Sequence, residues 1–119
     1  MNNAVLYVYG IVRSGFDAAR APAGIDDTTV ELARSGKIGA LLSRLDPAAY
    51  AASTIERNSG DVSWLSPRAM AHDRVLTWPQ EHGGVIPFPM FTMFGSEDAL
   101  KKSLAERAPG IERVFRTVG

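Results

Sequence analysis

Two histidines, thirteen acidic residues and no cysteine are the whole stock from which this chain of 119 residues could build a metal centre or an acid–base pair. A metal ion asks for several His, Cys, Asp or Glu ligands at workable spacing, and the nitrogen donors here are His72 and His82 alone. Ten residues apart on one helix, their side chains diverge by about 80°. A two-histidine metal site is therefore not expected. His72 stands beside Asp73, yet adjacent helical residues do not face each other. A packed, hydrogen-bonded structural histidine is the better reading than a base working with Asp73 or Glu56, because His72 falls in the middle of an apolar stripe. Ser35-Gly36-Lys37 has the look of a phosphate-loop ending, but Glu31 stands where the first glycine belongs and no helix follows. Gly95-Ser96 opens a helix whose amides could hold an anion; Glu97 and Asp98 already occupy that positive end, which points to capping. Gly-x-Ser-x-Gly, His-Glu-x-x-His and the dinucleotide fingerprint are all missing. No enzyme, cofactor or metal is predicted from these residues.

The elements that must position any site follow from periodicity. Ala4 to Val12 is apolar on both alternating sets, Val5, Tyr7, Tyr9 and Ile11 on one and Leu6, Val8 and Val12 on the other, which predicts a central strand covered on both faces. Residues 13–27, with Gly15, Pro22 and Gly24, read as a loop. Strands over 28–33 and 37–45 join across Ser35-Gly36. Asp46-Pro47 predicts a short helix over 47–52, followed by a polar surface stretch over 53–63. The clearest helix runs from Ser66-Pro67 to Gly83-Gly84, with Leu65, Ala69, His72 and Leu76 on its apolar stripe and Trp78 nearly opposite. Val85 to Phe94 reads as a buried strand. A helix capped by Ser96 follows, ending at Pro109-Gly110, and 111–118 alternates as a last strand. The expected fold is α+β, a modified ferredoxin-like sandwich: one mainly antiparallel sheet with two long helices packed on it, on a single face in the most economical arrangement.

Composition narrows the function class. An apolar fraction of 45% with 22% charged residues is ordinary for a single globular domain of this length. Thirteen basic residues against thirteen acidic leave net charge zero, so nothing attracts a polyanion and nucleic acid is not an expected partner. The lack of cysteine excludes disulfides and thiol chemistry and suits a reducing cytoplasm. The apolar run at the start is too short for a membrane span and lacks a preceding basic segment, so neither a span nor a signal peptide is expected.

The unusual segment is Val85-Ile-Pro-Phe-Pro-Met-Phe-Thr-Met-Phe94, apolar in nine positions of ten with prolines at 87 and 89. Residues two apart aim their backbone groups at the same neighbouring strand, so both prolines remove donors from one side. That side must be unpaired, bulged or an edge. An exposed apolar edge would let a partner strand or helix dock beside Phe88, Met90 and Met93, and a weak homodimer could form there too.

An ordered series of short pieces carries a family likeness. Tyr7-Val-Tyr-Gly-Ile-Val12, Pro22-Ala-Gly-Ile-Asp26, Ile38-Gly-Ala-Leu-Leu-Ser43, Trp64-Leu65, Ala69-x-x-His72-x-x-Val75-Leu76, Val85-Ile-Pro87 and Thr92-x-Phe94 follow one another in the family's order. The chain resembles the N-terminal domain of the gas vesicle protein L/F family. That resemblance implies a modified ferredoxin-like domain over residues 1–119, joined in relatives to a second α+β domain that would begin about where this chain stops, at Thr117-Val118-Gly119. It also implies a non-enzymatic accessory role in gas vesicle assembly, in the cytoplasm, binding the hydrophobic shell protein or other assembly factors. A ligand-sensing regulatory domain is the alternative that the same fold allows. Where the family strand reads Pro-x-Arg-Phe-Gly-Thr, Pro89, Met90 and Phe91 replace the Arg, Phe and Gly, so no contact of that arginine carries over. The expected protein-binding residues are Pro87, Phe88, Pro89, Met90 and Met93, with Trp64 and Trp78 as secondary aromatic anchors.

Overall fold

A computed structural model describes residues 4–118 apart from His82, with side chains to Phe115. Three strands, β1 (Val5–Arg13), β2 (Glu31–Ser35) and β3 (Ile38–Leu45), are followed by two α-helices, α1 (Ala52–Asn58) and α2 (Val62–Gln80), then by short strands β4 (Ile86–Pro87) and β5 (Met93–Phe94) and a last helix, α3 (Glu97–Val118). The sheet order is β2-β3-β1-β4, and β5 also lies against β1. Every pairing is antiparallel. β1 occupies the interior of the sheet, as its apolar residues on both faces require: Leu6 to Val12 are all buried.

A β-bulge at Tyr9 changes the phase of β1. Val8 pairs with Leu42 and Gly10 with Leu41, so one residue of β1 is left over. Before it, Leu6 and Val8 face one core while Tyr7 and Tyr9 face the other; after it, Ile11 joins Leu6 and Val8, and Val12 joins the tyrosines. Strict alternation had placed Ile11 and Val12 the other way, and the extra residue is why that assignment fails. The Tyr9 hydroxyl, thus turned inward, accepts from the Ile25 amide (3.0 Å) and bonds Ser43 Oγ (2.8 Å). The Pro22–Asp26 loop is pinned to the sheet by these contacts.

Helices cover both faces rather than one. α2 contributes Ala71 and Val75 to the tyrosine face, and α3 contributes Leu100, Leu104, Ile111 and Phe115 to the other. The expected strand over 111–118 is instead the continuation of α3 through Pro109-Gly110. Proline inside a helix costs about 3 kcal/mol. Leu100, Leu104, Ala108, Ile111 and Phe115 nevertheless keep one helical stripe across the interruption, and burying that stripe on the sheet outweighs the break. Arg13 helps at the far end, where its Nη2 donates to the Phe115 carbonyl (3.0 Å) and its guanidinium lies 4.8 Å from the centre of the Phe115 ring.

Other boundaries shift for local reasons. Residues 47–50 form a turn, not a helix, with the Asp46 carboxylate accepting from the Ala48 amide (3.0 Å). The polar stretch after it is helical instead, as α1. α2 starts five residues before Pro67, capped by Asp61, whose carboxylate accepts from the Ser63 amide (2.9 Å). Its buried residues are Ala71, His72, Val75 and Pro79. Ser35-Gly36 makes the expected hairpin turn, with Gly36 at φ 62°, and Ser96 Oγ accepts from the Ala99 amide (3.1 Å) as the expected cap. His82, and with it the expected divergence of the two histidines, lies outside the described residues.

Candidate functional site

The apolar segment 85–94 forms the margin of the sheet. It is not one strand: β4 pairs Ile86 and Pro87 with Ile11 and Gly10, β5 pairs Met93 and Phe94 with Tyr7 and Leu6, and residues 88–92 turn between them. Phe88 donates its amide to the Tyr9 carbonyl (3.0 Å), and Val8 donates to the Thr92 carbonyl (2.9 Å), so both ends of the turn are fastened to β1. Pro87 and Pro89 are exposed, whereas Phe88, Met90 and Met93 are half-buried. The prolines and the interruption at 88–92 explain why a run this apolar fails to form a continuous strand.

His72 holds the turn from below. Its Nδ1 lies 2.7 Å from the Tyr7 hydroxyl and its Nε2 lies 3.0 Å from the Phe88 carbonyl. A carbonyl can only accept, so Nε2 carries the proton and Tyr7 donates to Nδ1. Burial is the main cause that keeps the imidazole below the usual histidine range, and the Phe88 carbonyl opposes it in part. Both ring nitrogens are committed to neutral partners, so the ring has the structural role expected of it and no carboxylate pair. The Tyr7 hydroxyl is raised well above the tyrosine range, chiefly by burial.

Acid should therefore loosen this region. The unfolded chain takes up a proton at histidine near pH 6.5, while folded His72 resists it, so the stability that the neutral ring supplies is present above about pH 6.5 and is lost as pH falls toward the depressed folded value. Urea unfolding at pH 7.5 and pH 5 checks this: the midpoint should fall more in the native protein than in His72→Gln, which has no titrating ring.

Beside the turn lies an aromatic cluster. Phe91 stacks on Trp64 (ring centres 5.8 Å apart, 17° between planes) and meets the Tyr7 ring edge-on at 6.1 Å. The Arg68 guanidinium lies 4.3 Å from the Trp64 ring centre, donates through Nε to the Tyr50 hydroxyl (2.9 Å), and stands 3.4 Å from Asp26. Tyr50 donates to Asp26 (2.5 Å), and burial first, then that bond, pushes its pKa up to about 12. Phe91 takes a left-handed φ of 64°. Its ring contacts must offset a backbone cost of about 1 kcal/mol.

Trp64 is thus brought to the edge segment through Phe91. Trp78, half-buried, packs edge-on against the Phe16 ring (4.7 Å). The sequence reading missed Phe91, Arg68 and Arg107. Arg68 was detectable, being four residues after Trp64 on one helix. Arg107 lies with its guanidinium 5.6 Å from the Phe88 ring centre, a contact that depends on α3 reaching the edge.

Among the described residues no group of three or more His, Asp or Glu is placed to hold a metal ion, and no helix is long and apolar enough to cross a membrane. The antiparallel sheet with its packed helices defines an α+β domain of the ferredoxin-like kind. The crystal structure of the gas vesicle protein GvpF from Anabaena sp. PCC7120 matches 96% of this chain with a TM-score of 0.69 at 20% identity, and the chain spans 43% of the length of that one. The sequence profile of the family described as gas vesicle synthesis protein GvpL/GvpF matches residues 5–119, and this chain belongs to that family. No curated protein matches the sequence.

Proposed function

We propose that this chain is a non-enzymatic accessory in gas vesicle assembly, acting in the cytoplasm at the vesicle, and that it holds the hydrophobic shell protein or another assembly factor through the 86–94 margin before polymerisation. The observation that carries this is the position of a long, uncharged apolar segment at the edge of the sheet, not in its middle. The segment contains no charged residue, and its two methionines adapt to irregular partners. The His72 and Tyr9 bonds fix its backbone beforehand, which reduces the ordering that docking would otherwise require. On this proposal the unit, which spans 43% of the length of the Anabaena GvpF chain, is the N-terminal of two domains in longer relatives.

The test is size-exclusion chromatography of the chain with the shell protein and with each other vesicle accessory protein. Comigration with one of them is expected, and Met90→Lys should weaken it about tenfold, since a charge would enter a desolvated contact. Absence of comigration with every vesicle protein would contradict the proposal, as would a Met90→Lys variant that folds normally and binds unchanged.

A further inference from the structure

The outer margin of the edge segment is closed to another strand. The Phe88 amide points inward to Tyr9, so the amide positions on either side of it point outward, and those belong to Pro87 and Pro89, which carry no hydrogen. Two nearby acceptors are engaged, the Phe88 carbonyl with His72 Nε2 (3.0 Å) and the Pro89 carbonyl with Thr92 Oγ1 (2.8 Å). A strand laid along residues 87–89 finds no amide donors to pair with, whether it comes from another protein or from a second copy of this chain, so a regular ladder is not formed.

Recognition here must run through side chains. Ile86 and Pro87 on the edge and Val114 and Phe115 of α3 line a largely apolar groove of about 750 Å³, whose polar lining is Gln80 and Arg13, the latter engaged with the Gly83 and Phe115 carbonyls. Val114 is 47% exposed, one of the most exposed large apolar residues among those described. Seven residues earlier, two turns away on the same helix face, stands Arg107. A side chain at Gly110, between them, would meet nothing within 4 Å, so the glycine leaves that stretch of the helix surface low and open. Arg107 is exposed, rests against the Phe88 ring, and has no carboxylate partner among the described residues. Arg107 does not line the groove itself; its planar donors stand beside it, over the Phe88 ring next to Pro87.

We infer that this groove takes an α-helical segment of the partner, apolar along one face and bearing a carboxylate that pairs with Arg107. A helix satisfies its own backbone and asks nothing of a margin that has no donors to give. An unpaired guanidinium beside apolar walls is complementary to an acid flanked by apolar residues. The inference rests on the docking role proposed above.

The probes are 20-residue peptides tiling the gas vesicle shell protein, each made as written and with Asp and Glu replaced by Asn and Gln, titrated into the whole chain by fluorescence anisotropy. One peptide should bind, gain helical circular dichroism on binding, and lose about tenfold in affinity as the amide version. Arg107→Gln should cost the same tenfold with the acidic peptide and nothing with the amide peptide, at unchanged thermal stability because the side chain is exposed. Equal binding of the acidic peptide by Arg107→Gln and native chain, or a peptide bound in extended form, overturns the inference while the docking role stands. Binding of intact shell protein with no peptide binding overturns it in the same way. If neither peptides nor intact shell protein bind the native chain, the shell-protein form of the docking role fails, and this inference with it.

Discussion

Replacing His72 with alanine is expected to lower the unfolding free energy by about 4 kcal/mol, because a buried and a part-buried partner each lose a hydrogen bond worth about 1–3 kcal/mol to leave unmade and the missing ring adds a cavity. The partners are the Tyr7 hydroxyl and the Phe88 carbonyl, and the ring is only 7% exposed. The melting temperature should fall by roughly 15–20 °C. His72→Gln, which offers one donor and one acceptor, should recover about half of the loss. The effect reaches the edge, since the freed Phe88 carbonyl releases the 88–92 turn and amide exchange there should rise. A loss below about 1 kcal/mol would show that the histidine fastens nothing.

Gly10→Val should cost about 3 kcal/mol, through overpacking rather than lost contact. A Cβ on Gly10 would lie 2.6 Å from the Ile86 carbonyl oxygen, 3.0 Å from Val85 Cγ2 and 3.1 Å from Leu76 Cδ2. The nearest of these is backbone and cannot rotate away, so β4 must move off β1. β4 is paired through Gly10 and Ile11 alone, so the variant should lose partner binding along with stability. Gly15→Ala is the control: nothing lies within 4 Å of that site, and a change within about 0.5 kcal/mol is expected. Chemical denaturation of both variants, with comigration assays below the melting temperature, separates the two outcomes.

The parts of the fold that local pattern dictates were legible. β1 is apolar on both faces because helices lie above and below it, and His72 was recognisable as a packed residue from its place among apolar neighbours. Two prolines spaced to strip donors from one side left that side unpaired, bulged or an edge, and residues 86–87 lie at the margin. What escaped depends on tertiary context. Pro109-Gly110 is a strong local stop, and only the sheet face waiting for Ile111 and Phe115 carries α3 through it. The bulge at Tyr9 leaves no mark in composition, yet it decides which core receives Ile11 and Val12. Trp78 looked free because helical geometry placed it opposite the stripe, but Phe16, far away in sequence, covers it. Of the candidate site, the segment itself was visible; Arg107 was not, because it reaches Phe88 only when α3 lies along the edge.

Methionine methyl resonances test the central claim most directly. Met90 and Met93 lie on the edge segment, while Met70 is 67% exposed on α2 and serves as an internal reference. On addition of the shell protein to the methyl-labelled chain, the Met90 and Met93 signals should shift or broaden while Met70 stays in place. A Met70 signal that moves while Met90 and Met93 remain unchanged would put the contact on α2 and contradict the edge as the binding surface.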